Sequence, residues 1–413
     1  MHQSLWEVFL DENASGVASK NKSLKRAIIT QLDAAKHATI AELSKELSSS
    51  TPKIITLVNE LIDDKLIKDY GKVDSTGGRR ASIYGLVSDA GFFVGVAIKR
   101  YTINIGLLDF KKHLVTVQED IDYTFENTRE AFDQLISVIE TFISNLLVKR
   151  EKILGIGVNL TGRINHASGY SYSFFNFNEE PLAATMENRL GIKVFIENDS
   201  RAMAFGEFNF GVVANEKNVL FVNMDYGIGL GILVDGKVYY GKSGFSGEFG
   251  HIPFFNNEIL CHCGKKGCLE TEASGNALIR LFKEKIQSGF SSQLVSDTGN
   301  LDNITLQDII DAARNDDMLS IELIANMGEK IGKGLAVLIN IFNPELVILG
   351  GTLAQTGDLV RLPVKSALNK YSLSLVNNDT KLKMSKLGER AGVMGACLIA
   401  RNNVFFRRAA EQI

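Results

Sequence analysis

The run Phe92-Phe-Val-Gly-Val-Ala-Ile98 begins the pattern that decides the fold. An apolar run of this length predicts a fully buried strand. Two more strand-like segments follow at 101–109 and 114–121, and an amphipathic helix at 131–148 leads into another buried strand at 153–159. Short strands that alternate with longer helices indicate an α/β domain with its sheet in the middle.

The same order of strands and helices recurs in the second half of the chain. Strand-like segments at 219–224, 229–235 and 237–240 precede a helical region at 274–341 and a strand at 346–351 that ends in two glycines. Two lobes of this order are typical of the actin-like, sugar-kinase architecture, which is ribonuclease H-like. We therefore expect a two-lobed α/β body, with the last helix crossing back to the first lobe.

Composition excludes several other classes of protein. The chain has 413 residues, of which 45% are hydrophobic and 23% are charged, and these proportions are ordinary for a soluble globular protein. No apolar run approaches the roughly 18 residues that a membrane helix needs. The N-terminus also lacks the basic start and apolar core of a signal peptide. We therefore expect a cytoplasmic protein without a membrane segment.

Charge is distributed unevenly along the chain. Segment 19–86 contains 12 basic and 8 acidic residues, whereas the rest of the chain contains 33 basic and 40 acidic ones. A basic head on an acidic body indicates a module that binds a polyanion, although an excess of this size also arises by chance.

Three short helices are predicted in this basic segment. Apolar residues recur at helical spacing over 24–32, and Thr39-Ile-Ala-Glu42 is a capping box that starts a second helix. Thr51 and Pro52 suit the N-cap and the first position of a third helix. Three helices in this order predict a helix-turn-helix, whose last helix enters the major groove of DNA.

The third helix has one apolar face and one polar face. Positions 54, 57, 58 and 61 are apolar and are predicted to face inward. The candidate DNA-contacting residues on the opposite side are Lys53, Ile55, Thr56 and Asn59. The alternative is an ordinary solvated helix face.

A wing is predicted after the third helix. Two strand-like segments, 66–70 and 81–86, flank a loop that contains Gly77-Gly78 followed by Arg79 and Arg80. Arginine suits phosphate and the narrow, negative minor groove, so both arginines are candidate DNA contacts; otherwise they only solvate a hairpin. Winged helices also bind proteins, so this fold alone leaves the partner open.

A cluster of metal-ligating residues follows in the second half. Three of the four cysteines, Cys261, Cys263 and Cys268, lie within eight residues, and His251 precedes them. One imidazole and three thiolates are a complete tetrahedral set for Zn²⁺ with no open position. We therefore expect one structural zinc per chain. His262 is a rival ligand, but both of its neighbours are already ligands; the other alternative is three thiols without a metal.

The sequence contains three motifs in the body in addition to the Gly-Gly-Arg-Arg wing of the head. They are Gly247-Glu-Phe-Gly-His251, Cys261-His-Cys-Gly-Lys-Lys-Gly-Cys268-Leu-Glu270 and Glu197-Asn-Asp-Ser-Arg-Ala202. In this combination the chain resembles the ROK family, which joins transcriptional repressors, open reading frames and sugar kinases. The resemblance runs from about residue 20 to the end of the chain, and only the repressor branch carries the head and the wing.

The resemblance implies a set of sugar-binding residues. They are Asn198, Asp199, Glu248, His251 and Glu270, with Gly162, Arg163 and Asn176 at positions of further sugar contacts. It also implies that His251 binds zinc through one ring nitrogen and the sugar through the other. The alternative for Asn198 and Asp199 is the N-cap of the helix that includes Ala202.

The ATP-binding loops of the family's kinases are altered in this chain. Ala97 stands where those kinases have the aspartate that helps to hold Mg²⁺, and Lys99-Arg100 replaces glycines of the first phosphate loop. Tyr226 replaces a threonine in the second loop, whereas Gly350-Gly351 is retained. Because phosphoryl transfer depends on positioning and charge stabilisation, we expect no kinase activity and no catalytic residues.

These expectations combine into a sugar-responsive transcriptional repressor. The expected parts are an N-terminal extension (1–19), a winged helix-turn-helix (20–87), a first lobe (88–205) completed by 393–413, and a second lobe (206–392) with the zinc loop. The expected partners are operator DNA, a sugar or sugar-phosphate effector, and further copies of the chain in a homodimer or homotetramer. The alternatives are an active ATP-dependent hexose kinase with an added head, and a body that binds a partner protein.

Overall fold

The computed structural model describes residues 16–72, 81–177, 179–295 and 301–406. The strands are β1 (Ala38–Thr39), β2 (Ile67–Lys72), β3 (Ser82–Leu86), β4 (Phe92–Ile98), β5 (Thr102–Asp109), β6 (Leu114–Asp122), β7 (Ile153–Leu160), β8 (Ile164–Asn165), β9 (Tyr170–Ser171), β10 (Val194–Asn198), β11 (Val219–Met224), β12 (Ile228–Val234), β13 (Lys237–Val238), β14 (Leu346–Gly350) and β15 (Lys381–Met384). The helices are α1 (Val17–Ala35), α2 (Ile40–Glu46), α3 (Thr51–Asp63), α4 (Arg129–Ser144), α5 (Leu182–Leu190), α6 (Asp199–Phe210), α7 (Glu270–Ala273), α8 (Gly275–Gln287), α9 (Leu306–Arg314), α10 (Met318–Phe342), α11 (Asp358–Tyr371), α12 (Ser374–Asp379) and α13 (Arg390–Phe406).

The chain divides into two compact units, each built from separated segments. Unit 1 comprises the chain up to residue 158, residues 175–196 and the chain from 396 onward; unit 2 comprises residues 159–174 and 197–395. This division differs from the expected lobes, because residues 197–205 belong to unit 2 and the head belongs to unit 1. The four-part division of the chain stays a prediction.

The head of unit 1 has the winged helix-turn-helix topology. In residues 16–72 and 81–86, the helices α1, α2 and α3 accompany a three-stranded sheet in the order β1-β3-β2, with antiparallel pairing. The capping box at the start of α2 is present, because Thr39 Oγ1 accepts the Glu42 N–H at 3.2 Å and Glu42 Oε2 accepts the Thr39 N–H at 2.7 Å. The N-cap of α3 is Ser50 rather than Thr51, so that prediction was wrong by one residue.

The rest of unit 1 is built on a five-stranded sheet in the order β10-β7-β4-β5-β6. Strand β4, which opens the sequence pattern, is buried along its whole length. It pairs antiparallel with β5 from Phe92 opposite Asp109 to Ile98 opposite Ile103. A strand buried on both faces needs the continuous apolar run that the sequence shows.

Unit 2 repeats this plan. Its sheet has the order β13-β12-β11-β14-β15, with β11 antiparallel to β12 and parallel to β14. In the described residues of the predicted helical region at 274–341, the chain forms the helices α8, α9 and α10, whose apolar sides join the core of this unit. In the part of the chain that the structure describes, no helix is long and apolar enough to cross a membrane.

Candidate functional site

The four predicted metal ligands converge in unit 2. The ligand atoms of His251, Cys261, Cys263 and Cys268 all lie within 4.8 Å of one another. His251 Nδ1 is 3.5 Å from Cys261 Sγ, and Cys263 Sγ is 3.6 Å from Cys268 Sγ. A disulfide requires about 2.05 Å between sulfurs, so the thiols are free. The structure therefore contains the cluster that the spacing predicts.

Backbone geometry explains how so short a loop brings three sulfurs together. Gly264 and Gly267 have φ of 85° and 72°, values that glycine adopts at no steric cost. Between them the chain turns back, and the Cys261 N–H donates to Lys265 O at 2.8 Å. The loop is a tight hairpin whose sulfurs point to one side.

The donor set fits zinc. Three soft thiolates and one imidazole form the closed tetrahedral set that structural zinc sites use. A second group, His251, His262 and Glu270, also has its ligand atoms within 4.8 Å of one another. His262 Nδ1 is 3.9 Å from Cys261 Sγ but 3.0 Å from Glu270 Oε1. The shorter distance pairs His262 with the carboxylate, a partnership that the sequence analysis missed.

Glu270 is anchored from two sides. Its Oε2 accepts the Ile228 N–H at 2.9 Å, and its Oε1 faces His262. Burial alone would raise the pKa of Glu270, but the hydrogen bonds from His262 and from the Ile228 N–H outweigh burial and hold this pKa below its ordinary value. Glu270 is therefore a fixed, ionised acceptor at neutral pH.

His251 presents its two ring nitrogens to different partners. Nδ1 faces the thiols, whereas Nε2 is 3.8 Å from Glu248 Oε2. The Glu248 side chain is exposed, with 43% of its surface accessible. This arrangement places the Glu248 carboxylate on the Nε2 side of His251, and the binding of a sugar to that nitrogen stays a prediction.

Asn198 caps a helix. Its Oδ1 accepts the Arg201 N–H at 3.2 Å, which makes it the N-cap of α6, and its Nδ2 donates to Gly162 O at 3.1 Å. The alternative that the sequence left open is thus present for this residue. An amide nitrogen carries two hydrogens, so capping does not use all of its hydrogen-bonding capacity.

Asp199 is the first residue of α6, and its side chain is half-buried. Its Oδ1 accepts the Ser200 N–H at 2.6 Å and the Ser200 hydroxyl at 3.0 Å. Burial raises the pKa of Asp199, and the nearby Asp225 carboxylate raises it further, while the Ser200 hydrogen bonds act in the opposite direction. Keeping Asp199 ionised in this environment therefore lowers the free energy of unfolding.

The remaining sugar-site candidates lie on loops. Arg163 has an exposed side chain, and its backbone N–H donates to Ser173 Oγ at 3.0 Å. Asn176 is exposed and belongs to unit 1. The candidates that the structure places in unit 2 are Arg163, Asn198, Asp199, Glu248, His251 and Glu270. Asn198 and Asp199 thus fall in unit 2, whereas the expected first lobe runs to residue 205; that lobe boundary stays a prediction.

A buried arginine organises the segments that carry these candidates, and sequence reasoning missed it. Arg201 Nε is 2.7 Å from Glu197 Oε1, and both side chains are almost fully buried. The guanidinium also donates to Gly244 O at 2.7 Å and to Ile164 O at 3.1 Å. One side chain therefore ties the start of α6 to the strand β8 and to the loop that contains Gly244. An arginine four positions after a glutamate was the available signal.

The first phosphate loop of the kinases has no counterpart in the described β4–β5 hairpin. Ala97 pairs with Asn104 across the two strands. The chain then turns within residues 99–101, and the Lys99 N–H donates to Thr102 O at 2.9 Å. A tight turn without glycine cannot wrap its N–H groups around a phosphate as a glycine-rich loop does.

The second phosphate loop carries an acid that the sequence analysis did not weigh. Asp225 Oδ1 accepts the Tyr226 N–H at 2.7 Å, and its Oδ2 accepts the Thr352 hydroxyl at 2.9 Å. A carboxylate fixed in this turn repels nucleotide phosphates. The retained Gly351 has a packing reason, because an added Cβ would lie 2.5 Å from Asn223 Oδ1. Its presence therefore does not indicate ATP binding.

The predicted DNA-reading face lies on α3. Ile54, Leu57, Val58 and Leu61 are buried, as the spacing predicts. On the other side, Ile55, Thr56 and Asn59 are exposed and Lys53 is half-buried. The wing arginines Arg79 and Arg80 lie outside the described residues.

Comparison with known proteins now decides the family. The ROK family model matches residues 94–403. The chain belongs to the ROK family. Within that family it is similar to the xylose repressor of Caldicellulosiruptor bescii, at 30% identity over 356 residues, which are 86% of this chain and 89% of that repressor. The DNA-binding transcriptional dual regulator NagC of Escherichia coli K12 is 28% identical over 395 residues, 94% of each chain.

A solved structure gives the same result for the fold. The ROK family transcriptional regulator described as a homolog of the E. coli MLC protein aligns with a TM-score of 0.78 and 27% identity, covering 94% of this chain and 97% of that one. Matches of this length include the head as well as the ROK body. The chain is therefore a transcriptional regulator of the ROK family and not one of its kinases.

Proposed function

We propose that this chain represses transcription by binding operator DNA through its head and releases the operator when its body binds a sugar. The observation that carries the proposal is the pairing of a winged helix-turn-helix with a ROK body whose second phosphate loop holds Asp225. Such a body can bind a ligand but is poorly suited to transfer phosphate. Operator and sugar would both meet the protein in the cytoplasm.

A structural zinc, one per chain, is proposed for the four-residue cluster. His251 would contribute Nδ1 and the cysteines three thiolates. When bound, the ion would cross-link the 251–268 loop and fix the tautomer of His251. Glu248 and the Nε2 of His251 would then form one wall of the sugar pocket, because neither is needed as a fifth ligand.

The sugar pocket would use fixed acceptors. Glu270, held by Ile228 and His262, is proposed to accept a pair of hydroxyls, which is how carboxylates bind sugars. Glu248, Asn198 and Asp199 would supply further hydrogen bonds. Arg163, Gly162 and Asn176 remain proposals of the same kind.

The head would read DNA with the exposed side of α3. Thr56 and Asn59 suit base edges, whereas Lys53, Arg79 and Arg80 suit phosphates and the minor groove. A symmetric operator requires two heads, so we propose a homodimer or homotetramer. Light scattering of the purified chain tests the assembly state.

Ligand binding is tested first. Thermal unfolding is measured with xylose and with N-acetylglucosamine, the sugars in the names of the relatives described above. A stabilising sugar should give a shift that grows with its concentration, since a ligand that binds only the folded state adds RT ln(1 + [L]/Kd). If neither sugar stabilises the protein, a partner protein becomes the better candidate for the signal.

DNA binding is tested with an operator duplex selected from random DNA by the full chain. Arg79→Ala/Arg80→Ala should weaken binding to all sequences and reduce its dependence on salt. Thr56→Ala and Asn59→Ala should change the preferred bases, each by about 1–3 kcal/mol at one position. The stabilising sugar should weaken operator binding; equal affinities with and without it would refute the repressor proposal.

A further inference from the structure

The last helix belongs to both units. The division between unit 2 and unit 1 falls between Gly395 and Ala396, inside the continuous helix α13. A helix is the stiffest short connection that a chain can make, because every internal N–H is bonded to a carbonyl one turn away. A displacement of one half of α13 is therefore carried to the other half.

The first half of α13 is in backbone contact with α6, the helix that begins at Asp199. An added Cβ at Gly395 would clash with the carbonyl of Ala202, and one at Gly206 would clash with the carbonyl of Ala391. At these two positions no side chain separates the backbones of the helices, and packing this close restricts sliding or tilting of one helix against the other. Movement at the sugar-site end of α6 is thus transmitted to α13.

The second half of α13 is clamped to the head. Arg401 is only 1% exposed. Its two terminal nitrogens are 2.8 Å from Asp33 Oδ1 and 3.4 Å from Asp33 Oδ2, and its Nε donates to Phe110 O at 3.2 Å. Asp33 lies in the last turn of α1, the first helix of the head, and also pairs with Lys112 Nζ at 2.7 Å.

A buried ion pair is a poor way to gain stability. Removing two charges from water costs about as much as their attraction returns, and well-packed apolar pairs often replace them without loss. What a two-pronged arginine–carboxylate contact adds is geometry, because both groups are planar and dock in one orientation. The pair fixes α1 against α13 at a defined angle.

We propose that Asp33 and Arg401 form the joint through which α13 sets the position of the DNA-binding head, so that a ligand at the start of α6 changes operator affinity. This inference rests on the proposed function, and it adds the route by which sugar and DNA binding are coupled. The route runs from α6 through α13 to α1, and each step is a contact within one unit or a continuous helix.

The test replaces both charges at once. Asp33→Leu/Arg401→Met removes the joint and leaves no buried unpaired charge on α13. The matched control is Asp133→Leu/Arg189→Met, because that pair is equally close at 2.8 Å but exposed. Each protein is compared with the parent in amide hydrogen exchange, in affinity for the stabilising sugar, either xylose or N-acetylglucosamine, and in operator affinity with and without that sugar.

The expected result separates coupling from folding. In the joint variant, exchange in α1 should rise at least about tenfold while exchange in β11 stays unchanged. Sugar affinity should stay within twofold, whereas the sugar's effect on operator affinity, about 5- to 150-fold in an allosteric protein, should fall below twofold. The control should match the parent in every measurement.

Two results would overturn the inference: unchanged exchange in α1, or a retained sugar effect in a folded joint variant. If neither sugar alters operator binding by the parent, the proposed function fails, and the exchange measurement alone decides whether the pair holds the head. If the double variant does not fold, Arg401→Lys replaces it, because lysine keeps the charge and loses the two-pronged contact. The same two results then apply.

Discussion

The 247–270 loop and the two phosphate loops of this chain differ in what they retain. In the former, the structure brings the ligand atoms of His251, Cys261, Cys263 and Cys268 within 4.8 Å of one another. In the latter, Ala97 replaces an aspartate and Asp225 occupies a turn that would have to accept phosphate. The contrast teaches that recognition and chemistry are separable: this body keeps a cluster of candidate metal ligands while its phosphate loops differ from those of the kinases.

The largest effect is expected when one of the proposed metal ligands is removed. Cys263→Ser should release zinc and lower the thermal midpoint of unfolding by more than about 10 °C, since structural zinc contributes about 10–16 kcal/mol to small zinc-binding folds. Cys397→Ser is the control, because Cys397 is buried in α13, where its sulfur lies 3.7 Å from Gly106 O. Elemental analysis and calorimetry measure both. A well-folded parent without zinc would contradict the assignment.

A smaller effect, on sugar affinity, is expected from changing Glu270, the proposed sugar ligand that follows the three cysteines. Glu270→Gln keeps the shape of the side chain but removes the charge, so affinity for the stabilising sugar should fall about 10- to 150-fold, equivalent to about 1.5–3 kcal/mol for a hydrogen bond to a charged group. Operator binding without sugar should be unchanged. Glu272→Gln, on the same helix but paired with Lys330 at 2.8 Å, should leave sugar affinity unaltered in titration calorimetry.

A third prediction concerns a variant in which the second phosphate loop is changed towards the sequence of the kinases. Asp225→Gly/Tyr226→Thr should tighten ATP binding by no more than about tenfold, because Ala97 and Lys99-Arg100 still leave the first loop without its glycines. No variant should form sugar phosphate at the roughly 1–100 s⁻¹ of active kinases. Measured turnover in that range, in the parent or in the variant, would restore the kinase alternative.

The smallest expected effect is a gain in stability. Asp199 is an acid with a raised pKa, so the folded state holds its proton more tightly than the unfolded chain does. Stability therefore decreases as pH rises from the unfolded-state pKa, about 3.9, through the folded-state value. Asp199→Asn removes that decrease and should stabilise the protein at pH 7 by about 0.5–2 kcal/mol, with little gain below pH ~4.

Denaturant unfolding of the parent and Asp199→Asn at both pH values measures this difference. An equal gain at pH 4 and at pH 7 would show that the carboxylate is not the cause. A loss of sugar affinity in the same variant would show that the acid is kept for binding at a cost to stability.

Local patterns explain what the sequence could predict. The Thr39–Glu42 box, the buried side of α3 and the metal cluster each follow from residues a few positions apart, where helix periodicity or loop length settles the geometry. The family motifs indicated the segments that carry the remaining candidate site residues. They did not indicate which contacts those residues make.

Pairings between distant segments could not be predicted in this way. Arg201 bonds the carbonyls of Ile164 in β8 and of Gly244 in a loop, and Arg401 reaches Asp33, which lies 368 positions earlier in the chain. His262 was assessed only as a metal ligand, since the position of Glu270 relative to it depends on how the loop turns. That the start of α6 belongs to unit 2 could not be predicted either. The reason is that its place in this unit depends on how α6 packs against α13 and β12, which lie far away in the sequence.

The carboxylate of Asp225 also affects which ligands can act as signals for this protein. ATP is abundant in every growing cell, and any nucleotide held by the body would shift the same equilibrium that the sugar shifts. A regulator that responded to both would report a mixture of energy status and nutrient supply. With a negative charge in the turn that would cradle phosphate, the proposed regulator would be insulated from the adenylate pool and would report the sugar alone.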